Sequence, residues 1–124
     1  MNKDEIQIDG IAYVRKSSIT QKQPAKPKGS NSYCIVRTYS AGVFAGYFDR
    51  KIKGQEGTVY NARRLWYWDG ANSLSELANE GVAKPQNCKF PTELLEVDLR
   101  NIIEVIPCTE KARLSIASVK IWAQ

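Results

Sequence analysis

The alternation of apolar and polar positions predicts an antiparallel β-sheet in the first half of the chain. Residues 33 to 48 (YCIVRTYSAGVFAGYF) are rich in β-branched and aromatic types, and their glycines favour two strands that meet near SAG over a helix. Polar residues separate this segment from TVYNARRLWYW, so residues 33 to 68 are predicted to form a three-stranded meander. An earlier hairpin is predicted at residues 6 to 14, around the turn dipeptide Asp-Gly.

Two short helices are predicted from their capping residues. Ser73 precedes an apolar-periodic stretch and Glu76 follows three residues later, an arrangement that satisfies the first free amides of a helix over residues 74 to 80. Gly81 supplies the left-handed terminator. Thr109 is suited to cap a second helix in TEKARLSIASV. The residues expected to face the core are Leu74, Leu77 and Ala78 in the first helix and Ala112, Ile116 and Val119 in the second.

The remaining pattern fixes the expected fold class. TELLEVDLRNIIEVIP alternates up to Leu99 and resumes at Ile102, which predicts two more strands. The total is an antiparallel sheet of six or seven strands with two short helices, an α+β fold. Residues 16–32, which include PAKPKGSNS, contain few apolar side chains. We therefore expect an N-terminal hairpin at 1–15, a flexible linker or loop at 16–32 and a main α+β domain at 33–124, all in one compact unit.

The amino-acid composition lacks the usual signatures of catalysis. The 124 residues are 43% apolar, which is enough for one core, and no histidine is present. The commonest general base and metal ligand is therefore absent. The carboxylates Asp98, Glu104 and Glu110 have no spacing that would force two of them together. We expect no catalytic residues, no metal site and no cofactor.

The cysteines and the distribution of apolar residues indicate the cellular compartment. The three cysteines are odd in number, lack a C-x-x-C spacing and are expected to be buried free thiols. They are Cys34, Cys88 and Cys108. No window approaches the 18 consecutive apolar residues typical of a membrane span, and the first ten residues lack a signal-peptide core. We expect a cytoplasmic protein without a membrane partner.

The segment RRLWYW, residues 63 to 68, is the strongest candidate for a binding site. Alternation along a strand would give each face one arginine and at least one ring. The two faces would be Arg63, Leu65 and Tyr67, and Arg64, Trp66 and Trp68. Arginine binds phosphate, aromatic rings stack on bases, and the net charge of +5 suits an anionic ligand. The alternative is that the rings belong to the core and an arginine simply covers them.

Neighbouring residues extend this candidate site. Lys89 and Phe90 lie between prolines and could present a cation and a ring, although Phe90 is equally suited to plug the core. Asn72 lies in the turn before the first helix, whose amides favour anions unless Ser73 and Glu76 already occupy them. SAGVFAG lacks the lysine of a phosphate loop and is interpreted as a bent strand. The candidate ligand-binding residues are Arg63, Arg64, Trp66, Tyr67, Trp68, Asn72, Lys89 and Phe90.

The string RRLWYWDGANSLSELANEGV, with SAGVFAG before it and IIEVIPCTEKARLSI after it, resembles a family of small proteins found mainly in tailed phages and prophages and carried as a domain of unknown function. The resemblance covers about residues 33 to 122, including the tryptophan of VKIW. It implies a phage accessory protein. By analogy with oligomeric phage proteins that sequester immune cyclic nucleotides without cutting them, such as the Thoeris anti-defence proteins, it implies a homo-oligomer that binds an anionic nucleotide in the host cytoplasm.

Other functions stay open on the sequence. The aromatic residues would also suit the anchor patch of an inhibitor or interaction module directed at a host nucleic-acid-handling or defence protein. The basic linker and the stacking residues would suit direct binding to DNA or RNA. A phage structural or assembly protein is a further alternative, and an unrecognised enzyme ranks last.

Overall fold

The fold is an antiparallel sheet with two helices. A computed structural model describes residues 23–50 and 54–123. The strands are β1 (Ser32–Thr38), β2 (Val43–Arg50), β3 (Gly57–Arg64), β4 (Leu94–Leu99) and β5 (Ile102–Pro107), and the helices are α1 (Leu74–Glu80) and α2 (Glu110–Ser118), with a 3-10 turn at Pro85–Asn87. The α+β class is confirmed. Among the described residues the sheet has five strands rather than the predicted six or seven. The predicted hairpin strands at residues 6 to 14 lie outside the described residues.

The strand order curls the sheet toward a barrel. The order is β4-β3-β2-β1-β5 with antiparallel neighbours, so β4 and β5 lie at opposite edges. Only Arg100 and Asn101 connect them, which limits the Cα atoms of Leu99 and Ile102 to a separation of about 11 Å. The backbone N–H of Ile102 also donates to the carbonyl of Gln55, just before β3, at 2.9 Å. The two edges of the sheet therefore meet at this end.

Two cores lie on the two faces of this curled sheet. The barrel core fills the inside of the curl, and the helix-side core lies between the sheet and the helices. The barrel core consists of Cys34, Val36, Phe44, Phe48, Val59, Ala62, Leu99 and Ile102. The helix-side core includes Tyr33, Ile35, Ala45, Leu65, Leu77, Phe90, Cys108, Ala112 and Ile116. Consecutive residues of β1 alternate between the two, as the period of a strand requires.

A β-bulge in β3 decides which residues face each core. Ala45 pairs with Arg63 and Tyr47 pairs with Tyr60, so Gly46 alone lies opposite two residues, of which Asn61 has a φ of 52°. Asparagine tolerates this left-handed conformation better than most residues. The extra residue shifts the alternation by one position. Arg63 therefore faces the helices, where an unbroken strand would have turned it into the barrel.

Both helices are capped as predicted. The Ser73 hydroxyl accepts a hydrogen bond from the N–H of Glu76 at 3.1 Å, and Gly81 ends α1 with a φ of 78°. The Thr109 hydroxyl accepts from the N–H of Ala112 at 3.0 Å at the start of α2. The predicted inward residues lie in or against the helix-side core, Leu74 being half-buried and the others buried: Leu74, Leu77, Ala78, Ala112, Ile116 and Val119.

Residues 23 to 31 run beside the start of α2. The N–H of Ala25 donates to the carbonyl of Cys108 at 3.0 Å, and the N–H of Glu110 donates to the carbonyl of Gln23 at 2.9 Å. Ala25 is buried in the helix-side core. This described part of the predicted linker therefore packs on the domain. The predicted hairpin at 1–15 lies outside the described residues.

Candidate functional site

The buried Arg63 side chain joins the sheet, α2 and the loop before β4 through hydrogen bonds. We call these contacts the Arg63 clamp. The side chain is 6% exposed, and its guanidinium donates to the carbonyls of Ile116 (3.1 Å), Val119 (2.6 Å) and Phe90 (3.0 Å). The last carbonyls of a helix have no partners within the helix and carry partial negative charge, which a cation stabilises. Burial lowers the pKa of Arg63. These contacts assign Arg63 a structural role.

Arg64 lies on the other face of the sheet. Its guanidinium lies 4.4 Å from the centre of the Phe44 ring and donates to the carbonyl of Ala41 at 2.6 Å. The residue is exposed, so it covers the barrel core with its stem and one face of its guanidinium while remaining in contact with solvent. The two adjacent arginines therefore lie on opposite faces, as the strand pattern predicted.

The alternation predicted for residues 63 to 68 is wrong beyond Leu65, because β3 ends at Arg64. Leu65 joins the helix-side core together with Arg63. Trp68 packs against that same core instead of sharing a face with Trp66. Trp66 and Tyr67 are 58% and 50% exposed, which is high for such large rings.

Trp66 and Tyr67 form part of an exposed cluster of rings around one lysine. The rings of Trp66 and Trp122 stack with centroids 4.9 Å apart and an interplanar angle of 25°. The Lys89 ammonium lies 5.3 Å from the ring centre of Trp66, 5.7 Å from that of Trp122 and 5.8 Å from that of Tyr67, within cation–π range. We call Trp66, Tyr67, Lys89 and Trp122 the tryptophan platform.

Backbone hydrogen bonds hold the platform together. Tyr67 and Lys89 form a two-residue antiparallel bridge, in which the N–H of Lys89 donates to the carbonyl of Tyr67 at 2.8 Å. The N–H of Trp122 donates to the carbonyl of Phe90 at 2.9 Å. Because Arg63 binds that same carbonyl, the buried clamp and the exposed platform share an anchor. Arg63 supports the platform from below without being part of it.

An open groove adjoins the platform at Trp122. Its volume is about 460 Å³, and Lys120 adds a second cation near the rings. The groove is lined by Pro85, Gln86, Cys88, Ser118, Lys120, Ile121, Trp122 and Ala123. We call it the Trp122 groove. Together the platform and groove offer aromatic faces, two ammonium groups and a concave surface, which suit a planar ligand that carries an anion.

The structure brings only part of the predicted site together. Trp66, Tyr67 and Lys89 meet on the platform, whereas Phe90 is fully buried in the helix-side core. Asn72 is exposed, but its backbone N–H donates to the Glu76 carboxylate at 3.1 Å, so the start of α1 is already capped. Trp122 and Lys120 were missed, because nothing in the sequence links residue 122 to residue 66.

The three carboxylates considered in the sequence lie on three different elements of the fold. Asp98 accepts from the Thr58 hydroxyl at 2.6 Å, Glu104 pairs with Arg37 at 2.9 Å, and Glu110 lies on α2. Among residues 23–50 and 54–123, no three His, Cys, Asp or Glu side chains are grouped to hold a metal ion. In the same part of the chain, no helix is long and apolar enough to cross a membrane.

Comparison with known proteins identifies a family but no characterised relative. No curated protein and no solved structure matches the chain. One family model, described as a domain of unknown function (DUF6948), matches residues 31–116, which is more than half of the chain. The matched span includes three members of the platform, Trp66, Tyr67 and Lys89, and ends before Trp122. The chain therefore belongs to the DUF6948 family.

Proposed function

We propose that this domain is a non-enzymatic binding module that holds an anionic, base-bearing small molecule, such as a nucleotide, on the tryptophan platform. The observation that carries the proposal is the Lys89 ammonium within 6 Å of three ring centres, two of which belong to exposed residues. Stacking of a base on an aromatic side chain contributes about 1–3 kcal/mol by alanine substitution. The Lys89 ammonium beside these rings would supply a cation for the phosphate of a nucleotide stacked on them.

The Trp122 groove supports this proposal by its size and lining. Its volume of about 460 Å³ falls within the range of small-molecule sites. Trp122 lines the groove and also stacks on Trp66, so a ligand in the groove lies against the platform. Lys120 supplies a second ammonium for an anion with more than one charge, such as a cyclic dinucleotide.

The proposed biological role is sequestration of a nucleotide signal in host cytoplasm by a phage accessory protein. The resemblance of the RRLWYW region to phage proteins supports that role, as does the chain's complete lack of histidine, since a protein that only holds its ligand needs no general base. A homo-oligomer would suit it, because subunit interfaces can enclose the open groove.

Calorimetry tests the proposal directly. The wild-type chain and the variants Trp66→Ala and Lys89→Met would be titrated with cyclic di- and trinucleotides and cyclic ADP-ribose isomers. We expect binding by at least one compound and a loss of about tenfold or more in each variant, since about 1.4 kcal/mol corresponds to a factor of ten. Tyr39→Ala, which removes an exposed ring outside the platform, is the matched control and should bind normally. Absence of heat with the whole panel would contradict the proposal.

A protein-binding role is the second candidate, favoured by the large exposed apolar area around the platform. Ile121 is 62% exposed next to Trp122, and clusters of exposed Trp and Tyr are typical anchors of protein interfaces. This role predicts that a host protein co-purifies with the wild-type chain and is lost with Trp66→Ala but retained with Tyr39→Ala. Light scattering adds a second criterion, because a ligand pocket between subunits requires a dimer or larger, whereas a monomer favours the interaction module. A gel shift with DNA or RNA at low salt would indicate nucleic-acid binding instead of small-molecule or protein binding.

A further inference from the structure

A second cleft lies between the loop around Lys28, the β3 bulge and α2. Its volume is about 380 Å³, and it shares no lining residue with the Trp122 groove. The lining residues are Lys28, Tyr33, Tyr47, Asn61, Arg63, Glu93, Arg113 and Ala117. We call it the bulge cleft, because Asn61, the bulged residue with a φ of 52°, lies in its wall. The volume is sufficient for a ligand of mononucleotide size.

Arg63 lines the bulge cleft and has one buried donor that no protein group uses. Both of its Nη atoms donate to carbonyls of the clamp, but its Nε–H is buried and has no acceptor. It is the only buried side-chain nitrogen or oxygen without a partner among the described residues. Buried polar groups in native proteins nearly always have a partner, and a charged donor is among the most costly to leave without one. An acceptor from a bound molecule would remove this deficit.

The polar side chains of the cleft are arranged in a connected row. The Lys28 ammonium donates to the Asn61 amide oxygen at 2.7 Å and lies 5.9 Å from the centre of the Tyr47 ring. The Asn61 amide nitrogen in turn donates to the Glu93 carboxylate at 3.0 Å. The Tyr33 and Tyr47 rings meet edge to face at 5.1 Å. The cleft thus combines two rings with a fixed cation and a fixed carboxylate.

Positive charge prevails in this cleft. Lys28, Arg63 and Arg113 are cations, whereas Glu93 is the only acidic residue in the lining. Glu110 neutralises one of the cations, since its carboxylate pairs with Arg113 at 2.6 Å. Lys28 and Arg63 then remain opposite Glu93, which leaves an excess of one positive charge. Arginine and lysine at the floor and rim of a small cleft favour a phosphate group.

We propose that the bulge cleft is a separate site for a phosphate group, free or carried on a molecule no larger than a mononucleotide. The phosphate accepts hydrogen bonds from the Arg63 Nε–H and the Lys28 ammonium. An organic part, where present, lies against Tyr47 and presents a hydroxyl or amino donor to Glu93. This site shares no side chain with the tryptophan platform, although Arg63 and Trp122 both donate to the Phe90 carbonyl.

Nuclear magnetic resonance tests the proposal at the unused donor itself. The probes are inorganic phosphate and AMP, each titrated into the ¹⁵N-labelled full chain in phosphate-free buffer, and the readout is the Arg63 Nε–H resonance. We expect a saturable downfield shift, because a new acceptor polarises the N–H bond. Tighter binding of AMP than of inorganic phosphate would assign the site to a phosphate monoester, and equal affinities would assign it to the free anion.

Substitutions of two exposed side chains should change the affinity for phosphate in opposite directions. Lys28→Met removes a cation and should weaken phosphate binding about fivefold or more, whereas Glu93→Gln removes a repulsive charge and should strengthen it. Lys89→Met alters only the platform and should leave the Arg63 resonance unchanged. The proposal is overturned if the Nε–H resonance does not move with either probe, or if Lys28→Met titrates at the same concentrations as the wild type.

Discussion

Gly46 of β2 lies directly against the bulge that Asn61 makes in β3. A Cβ atom on Gly46 would lie 2.5 Å from the Val59 side chain and 2.7 Å from the carbonyl oxygen of Tyr60, distances that no real Cβ contact adopts. The close approach is what lets one residue of β2 face two residues of β3. The bulge therefore depends on Gly46. Because the bulge sets the alternation of β3, the side of the sheet on which Arg63 lies depends on Gly46 as well.

Gly46→Ala should destabilise the fold by about 3 kcal/mol or more, since overpacking against backbone allows little relaxation. The measurement is the free energy of unfolding from urea titration. Gly54→Ala is the matched control: Gly54 has a positive φ of 71° but no atom near its missing Cβ, so only backbone strain of about 1 kcal/mol is expected. Equal losses in the two variants would show that the contact with β3 contributes nothing.

Arg63→Met and Arg64→Met should differ in their effect on stability although the residues are adjacent. Arg63→Met removes three hydrogen bonds from a charged donor and leaves the Val119 carbonyl without the donor it has here, whereas the Phe90 and Ile116 carbonyls keep a backbone N–H. The substitution should cost about 2–4 kcal/mol, because hydrogen bonds from charged groups are strong and the site is buried. Arg64→Met keeps an apolar stem over Phe44 and should cost less than about 1 kcal/mol. Thermal unfolding followed by circular dichroism distinguishes the two. Similar losses would contradict the clamp.

Acid should remove a contribution that Glu110 makes to stability. Hydrogen bonds from the Arg113 side chain and then from the Lys26 backbone N–H lower the pKa of Glu110 from 4.5 to about 2. Since the folded-state pKa is the lower one, the contribution is complete above about pH 4.5 and is lost as the pH falls toward 2. Glu110→Gln should therefore lower the urea midpoint at pH 7 and leave it nearly unchanged at pH 2. A difference that persists undiminished at pH 2 would exclude this cause.

The three cysteines should be unreactive in the folded protein. All are buried and free, and burial raises the pKa of Cys34 to about 11 and that of Cys108 to about 12, so little thiolate exists at pH 8. Burial also raises the pKa of Cys88, which lines the Trp122 groove and is expected to react first. Titration with Ellman's reagent should detect three thiols in denaturant and almost none without it. Rapid reaction in native buffer would contradict the burial.

The parts of the fold that the sequence predicted are those set by neighbours along the chain. Ser73, Glu76 and Gly81 define α1 within nine residues, and the contacts of Ser73 and Gly81 form as expected. The Glu76 carboxylate accepts instead from the N–H of Asn72, just before the N-cap. The bulge could not be predicted, because it arises from Gly46 and Asn61 on different strands, and neither residue alone indicates it. Arg63 and Arg64 were assigned to opposite faces, but only the bulge determines which of the two is buried.

In the candidate site too, contacts between residues far apart in the sequence could not be predicted. Trp66, Tyr67 and Lys89 were selected for their chemistry, and the bridge between Tyr67 and Lys89 joins them. Trp122 has no periodic or motif relationship to Trp66, and the contact depends on how the chain returns after α2. The Phe90 ring lies in the core, and the Phe90 backbone carbonyl accepts hydrogen bonds from Arg63 and Trp122.

The contacts of Arg63 with Ile116 and Val119 also link the completion of the sheet to the end of α2. Domains generally fold as units. Arg63 on β3 has no acceptor on α2 until residues 116 to 119 are available, and Trp66 has no stacking partner until residue 122 is available. The strands β1, β2 and β3 therefore cannot satisfy the buried arginine by themselves, and the platform is complete only when the segment after α2 is in place.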